Sequence, residues 1–263
     1  QPIGNWNTNS VTKMTDTFNG AASFDQPIGN WNTSNVTNMH RVFYHAPAFN
    51  QDISDWNTSA VTTMSGMFAR ATSFNQPIGS WDVSSVKNML EIFRLSDFNQ
   101  DISDWNVSSV TNMRSMFDGA SAFNQPIGDW DVSAVTNMAY MFRKALSFNQ
   151  PIGNWHMSSV SEMASMFEHA SSFNKPIENW NPSSVTNMYG MFSVATSFDQ
   201  DLSDWNVSSV ANLTDTFNNT PALSNVNKGL IHGTFSKNSN WPYDWSAYHT
   251  KPAHFVPSAS NLR

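Results

Sequence analysis

Pairs of aspartates three residues apart, Asp52 with Asp55, Asp101 with Asp104 and Asp201 with Asp204, come closest in this chain to a reactive or metal-binding spacing. With Asp129 and Asp131 they make one edge acidic, and loop carboxylates are ligands that calcium takes. No two of the paired copies adjoin, so each pair meets Pro and Gly in its neighbours, and a shell of roughly six to eight oxygens is hard to complete. The histidines, His40, His45, His156, His169, His232, His249 and His254, have neither metal-ligand spacing nor Ser and Asp partners in a catalytic pattern. There is no cysteine, hence no thiolate ligand or nucleophile. The expectation is a non-enzymatic chain with no metal and no cofactor.

Recognition chemistry stands elsewhere. Arg41, Tyr44, Arg70, Arg94, Arg114, Tyr140, Arg143 and Tyr189 occupy positions that change from copy to copy of a repeated sequence, while the positions around them stay fixed. Fixed positions serve structure and changeable ones are open to recognition. Arg and Tyr supply the contact area and directional donors that dominate binding interfaces. The same positions also suit a plain solvated face.

The elements that position these residues are set by a repeat. Trp6, Trp31, Trp56, Trp81, Trp105, Trp130, Trp155, Trp180 and Trp205 stand 25 residues apart, with a single step of 24. A unit this short cannot bury its own apolar face, so successive copies are expected to stack and share one continuous core. The short step lies between Phe93 and Phe98, which lack one residue present between Phe68 and Phe74. That segment reads as a tolerant corner.

Within one copy, Val135, Met138, Met141, Phe142 and Ala145 form an apolar stripe that predicts a short helix. Ser133 or an adjacent small polar residue just ahead of it is placed to cap its N-terminus, with Ser34, Ser59, Ser84, Ser108, Ser158, Ser183 and Ser208 in the same place elsewhere. The Trp-x-Val alternation before it predicts a strand of about three residues. Equal strands would pair in parallel about 4.8 Å apart, giving an α/β repeat solenoid with one strand and one helix per repeat, curved into a right-handed horseshoe. The Met and Phe residues face its core. Asn50, Asn75, Asn99, Asn124, Asn149 and Asn174 follow the first-half Phe of successive copies. They form a column expected to satisfy a backbone corner by hydrogen bonds passed from coil to coil.

The period runs over residues 1–217. Residues 218–246 read as a helical and aromatic cap, in which Ser224 caps a helix carrying Leu230, Ile231 and Phe235 on one side and Asn240 to Trp245 supply cover. Residues 247–263, interrupted by Pro252 and Pro257, read as a tail or linker. Gln1 begins in mid-repeat, at the phase of Gln26 and Gln76, so the chain is expected to be a fragment whose targeting segment lies upstream.

The net charge of −7 comes from 13 Lys and Arg against 20 Asp and Glu, which gives electrostatic binding to a nucleic-acid backbone little support. A hydrophobic content of 40% excludes ordinary disorder. No apolar run is long enough to span a membrane.

The unit Val-Thr-Asn-Met-x-x-Met-Phe-x-x-Ala-x-Ser-Phe-Asn-Gln-Pro-Ile-Gly-Asn-Trp-Asp-Val resembles the repeat, about 25 residues long, of BspA-like leucine-rich-repeat surface proteins, also found in mycoplasma surface lipoproteins. The stretches Asn227 to His232 and Trp241 to Trp245 resemble the cap that closes many such arrays. The resemblance implies a leucine-rich-repeat-like coil stack in an extracellular or surface-attached protein used for adhesion or recognition, with no catalytic residues. The expected partner is a protein or glycan at a cell surface. A second expectation is a building block that joins further copies of itself into a filament or surface layer. A third is an ice or insoluble-polysaccharide binder using the row Thr12, Thr37, Thr62, Thr111, Thr136 and Thr186.

Overall fold

The computed structural model describes residues 2–249. Cut at the Asn column, the repeats form nine coils: 2–24, 25–49, 50–74, 75–98, 99–123, 124–148, 149–173, 174–198 and 199–219. Each coil lies on the next in register. One parallel bridge joins every neighbouring pair, from Lys13 with Asn38 through Asn187 with Asn212.

The strand and helix expected in every repeat are absent among the described residues. The regular elements there are one α-helix, α1 (Asn225–Phe235), and one 3-10 turn (Ser246–Tyr248), both beyond the repeats. An α/β leucine-rich-repeat solenoid, with the right-handed horseshoe built on it, is therefore not this architecture. The reason is where the backbone hydrogen bonds go. In the third coil the N–H groups of Met64, Gly66, Phe68 and Arg70 donate to Asn88, Leu90, Ile92 and Arg94 carbonyls of the next coil at 2.7–3.0 Å. The intervening Met67, Ala69 and Ala71 N–H groups close turns onto Met64, Gly66 and Phe68. An α-helix would send all of these four residues back along its own chain. Every coil also holds two left-handed residues four apart, such as Arg41 (φ 53°) with His45 (φ 54°) and Tyr140 (φ 62°) with Lys144 (φ 58°), and a right-handed helix cannot contain them. The apolar stripe is a staircase of chained β-turns, whose three-residue spacing imitates a helical face.

The other local expectations change accordingly. Ser133 does not cap a helix; its N–H donates to Asp131 Oδ1 at 3.0 Å. Ser34, Ser59, Ser84, Ser108, Ser183 and Ser208 do the same to the Asn or Asp two residues earlier. The Trp-x-Val segment belongs to this Asx turn and not to a strand.

The core is built of columns. Rings at equal repeat positions stack, Phe43 on Phe68 at 5.6 Å and Phe68 on Phe93 at 5.8 Å, and the two phenylalanines within a coil stack at 3.8–4.1 Å. The coil with the missing residue keeps this geometry, Phe93 on Phe98 at 4.0 Å, because the loss falls in the connecting turn. Each inner Trp is buried, and its indole N–H donates to the Ile carbonyl of the preceding coil, as Trp56 does to Ile28 at 3.1 Å. A buried indole is thus satisfied by the stack itself. Along one corner the Asn75 N–H donates to Asn50 Oδ1, Asn99 to Asn75, Asn124 to Asn99, Asn149 to Asn124 and Asn174 to Asn149, at 2.9–3.0 Å.

After the ninth coil, α1 closes the column. Ser224 Oγ accepts the Asn227 N–H, and Ile231 and Phe235 are buried, whereas Leu230 is 43% exposed and does not share their side. Trp241, Tyr243 and Trp245 pack on Phe217. The Phe217 N–H, which has no tenth coil to reach, donates to the Tyr243 hydroxyl at 2.9 Å. Of the tail read for 247–263, residues 250–263 lie outside the described residues.

Candidate functional site

Because equal positions of adjacent coils are neighbours, residues about 25 apart in sequence meet on the turn-staircase face. Arg94, Asp118 and Arg143 share one column in the fourth, fifth and sixth coils. Asp118 is only 2% exposed and accepts Arg94 Nε at 3.0 Å, Arg143 Nε at 2.8 Å and Arg143 Nη2 at 2.8 Å. These are charge-assisted bonds, stronger than neutral ones. The hydrogen bonds that Arg143 donates to Asp118 raise its pKa from the ordinary value, against the opposite effect of burial.

Tyr140, from the left-handed corner of the sixth coil, carries two guanidiniums: Arg143 at 4.9 Å and Arg114 at 5.3 Å from its ring centroid. Arg114 is exposed and, among the described residues, pairs with no carboxylate. With Glu91 and Ser115 these groups line an open depression of about 280 Å³. It contains no aliphatic side chain. Asp118 escaped the sequence reading, although alignment of the repeats places it midway between two arginines, 24 residues from one and 25 from the other.

The remaining candidates are distributed along the same face. Arg41 lies over Tyr44 at 4.9 Å in the second coil. Arg70 is exposed in the third, in a left-handed conformation (φ 60°). Tyr189 is 43% exposed in the eighth coil, apart from the others. The arginines of the described residues, Arg41, Arg70, Arg94, Arg114 and Arg143, thus fall one to a coil in five successive coils.

The aspartate edge is occupied by its own turns. The Ser54 hydroxyl and N–H hold Asp52 below the usual carboxylate range, those of Ser84 act likewise on Asp82, and the Ser103 N–H and hydroxyl hold down Asp101. No group of three metal-ligating side chains gathers among the described residues. In the threonine row, Thr37, Thr62 and Thr136 donate their hydroxyl protons to carbonyls of the preceding coil at 3.2 Å, so these protons serve the stack. No helix of the described residues is long and apolar enough to cross a membrane.

A family described as "Mycoplasma protein of unknown function, DUF285" matches residues 1–97, 78–164 and 127–230, three overlapping stretches of the repeat array. It supports the mycoplasma side of the resemblance read from the sequence and not its BspA-like leucine-rich-repeat side. No curated protein matches the chain.

Proposed function

We propose, for a chain that belongs to this Mycoplasma family of unknown function, a role as a non-catalytic recognition module that is displayed outside the cell and binds a protein or glycan partner along its arginine face. One observation supports this reading above others: guanidiniums from three successive coils gather at one buried carboxylate and one aromatic ring, at positions the repeat leaves variable. A merely solvated face has no reason to immobilise such side chains. The stack beneath supplies rigidity, which lowers the entropy lost on binding.

The test is a panel of immobilised extracellular proteins and cell-surface glycans, probed with the purified chain and with a variant carrying Arg41→Gly, Arg70→Gly, Arg114→Ala and Tyr140→Gly. Three of these positions are left-handed, so glycine removes the side chain without straining the backbone. None is an ion-pair partner of Asp118. Binding by the native chain that falls at least about tenfold in the variant, a loss of about 1.4 kcal/mol, supports the proposal. Equal binding by the two, or no binding by the native chain to any panel member, overturns it.

A further inference from the structure

Resting on the recognition role above, we infer that the arginine row takes a linear glycan of sparse negative charge, laid along the stack from the second coil to the sixth. Length and direction come from the register. With coils spaced as hydrogen-bonded neighbours at about 4.8 Å, four steps span about 19 Å. Arg41, Arg70, Arg94, Arg114 and Arg143 follow one another coil by coil in that direction, staggered across the two left-handed corners.

Donor chemistry sets the charge. Arg94 commits one N–H to Asp118 and Arg143 commits two, out of five per guanidinium. The contact of Arg114 with the Tyr140 ring is electrostatic and commits no N–H. The depression therefore presents several fixed, uncommitted donors, which suit the bidentate grip that arginine gives carboxylate or sulfate. Its formal balance is modest. Three arginines face Asp118 and Glu91, and Glu168 stands beyond Arg143. The chain as a whole carries −7. Against that overall charge a dense polyanion gains from only a few positive groups, Arg70 and Lys144 beside the depression included, whereas an acidic sugar separated by neutral ones needs no more than these.

The lining fits a glycan better than an apolar peptide. Peptides that dock by a helix face or a proline-rich segment need apolar or aromatic-lined grooves, while acidic ones can be gripped by arginine clusters, a case that titration with poly-L-glutamate separates. This depression has no aliphatic wall and is shallow and open. Hydroxyl-rich rings bearing occasional acid groups match a surface of guanidinium, carboxylate and hydroxyl groups.

Isothermal titration of the full chain at about 0.15 M salt against a hyaluronate oligosaccharide, a heparin oligosaccharide, dextran and poly-L-glutamate decides the matter. Hyaluronate carries isolated carboxylates, heparin dense sulfates, dextran no charge, and polyglutamate the acid groups on a peptide. The expected result is binding of hyaluronate in preference to the other three, weakened at least about tenfold by Arg70→Gly with Arg114→Ala and unchanged by Lys237→Ala on the cap. An unaltered melting temperature in the double variant excludes a folding defect. Preference for dextran, heparin or polyglutamate that still depends on Arg70 and Arg114 overturns the ligand class while leaving recognition by this face standing. Binding of any of the four that ignores both residues overturns the site as well. Binding of none of them overturns the glycan inference, and the wider role then stands or falls with the panel experiment above.

Discussion

Gly66→Ala separates the turn staircase from a helix by the sign of its effect. In an exposed helix interior alanine is better than glycine by about 0.8–1.0 kcal/mol. Here Gly66 has φ +64°, and a Cβ built on it lies 3.1 Å from Arg41 Cγ and 3.6 Å from Tyr44 Cδ2. A left-handed L-residue costs about 1–2 kcal/mol, and the stiffer unfolded chain returns about 0.4–1 kcal/mol. The backbone alone therefore predicts a net loss of about 1 kcal/mol, with the Arg41 contact adding to it. Gly20→Ala isolates the backbone effect, because its φ is +72° and the added Cβ meets nothing within 4 Å. For a chain of this size each kcal/mol moves the melting temperature by about 2–4 °C. Tryptophan fluorescence during heating, compared with urea unfolding at one protein concentration, reads both variants. Melting temperatures that rise in both would refute the staircase and restore a helical repeat.

Other perturbations test the columns and the cap. Trp130→Phe removes the indole N–H that reaches the Ile102 carbonyl at 3.2 Å and leaves a gap in the core; a loss of about 2 kcal/mol is expected in urea unfolding. Asn124→Ala deletes the acceptor of the Asn149 N–H and the Gln150 amide, which should cost about 1–2 kcal/mol. Asn124→Asp should be nearly neutral, since Asp25 and Asp199 accept in the same column. At Asp199 burial raises the pKa, but the Ser224 N–H, the Asn227 amide, the Ser224 hydroxyl and Lys228 outweigh it and hold the carboxyl below its ordinary value. Its folded pKa being depressed, its contribution to cap docking is complete above the ordinary value of about 3.9 and disappears as pH falls through the folded one. Asp199→Asn keeps an acceptor without a titrating group, so cap exposure on acidification, followed by Trp241 and Trp245 fluorescence, should become shallower.

The columns were open to a reader of the sequence, and the local backbone was not. A chain that repeats every 25 residues and stacks in register must bring Trp56 to Trp81 and Phe43 to Phe68, whatever path it follows between them. That path was hidden because Val61, Met64, Met67, Phe68 and Ala71 fit a helical stripe and a chain of three-residue turns equally well. The left-handed corners gave little warning, since they hold Arg41, Glu91, Tyr140 and Val194 as well as glycines. One signal did favour turns. Asn38, Asn88, Asn112 and Asn137 stand just before the first Met of their copies, and each accepts the N–H two residues on. Asparagine competes with helical backbone through this bond. For the site, the variable arginines and tyrosines were visible one by one. Their gathering at Asp118 depended on which column each occupied, which only the register and the true turn geometry supply.

That register also explains how an acidic chain keeps a row of arginines. Two like charges in one column of adjacent coils, about 4.8 Å apart, repel by about 1 kcal/mol even in water. Where the column carries charge in successive coils it alternates, Arg94, Asp118, Arg143, Glu168. Elsewhere the arginine changes column at each step. Arg41 stands at the first left-handed corner and Arg70 at the second, Arg94 precedes the second, and Arg114 precedes the first. No two adjacent coils place arginine directly over arginine. Positive groups therefore accumulate along the axis without stacking on one another, and where two flank one coil in the same column, Arg94 and Arg143, the buried Asp118 sits between them.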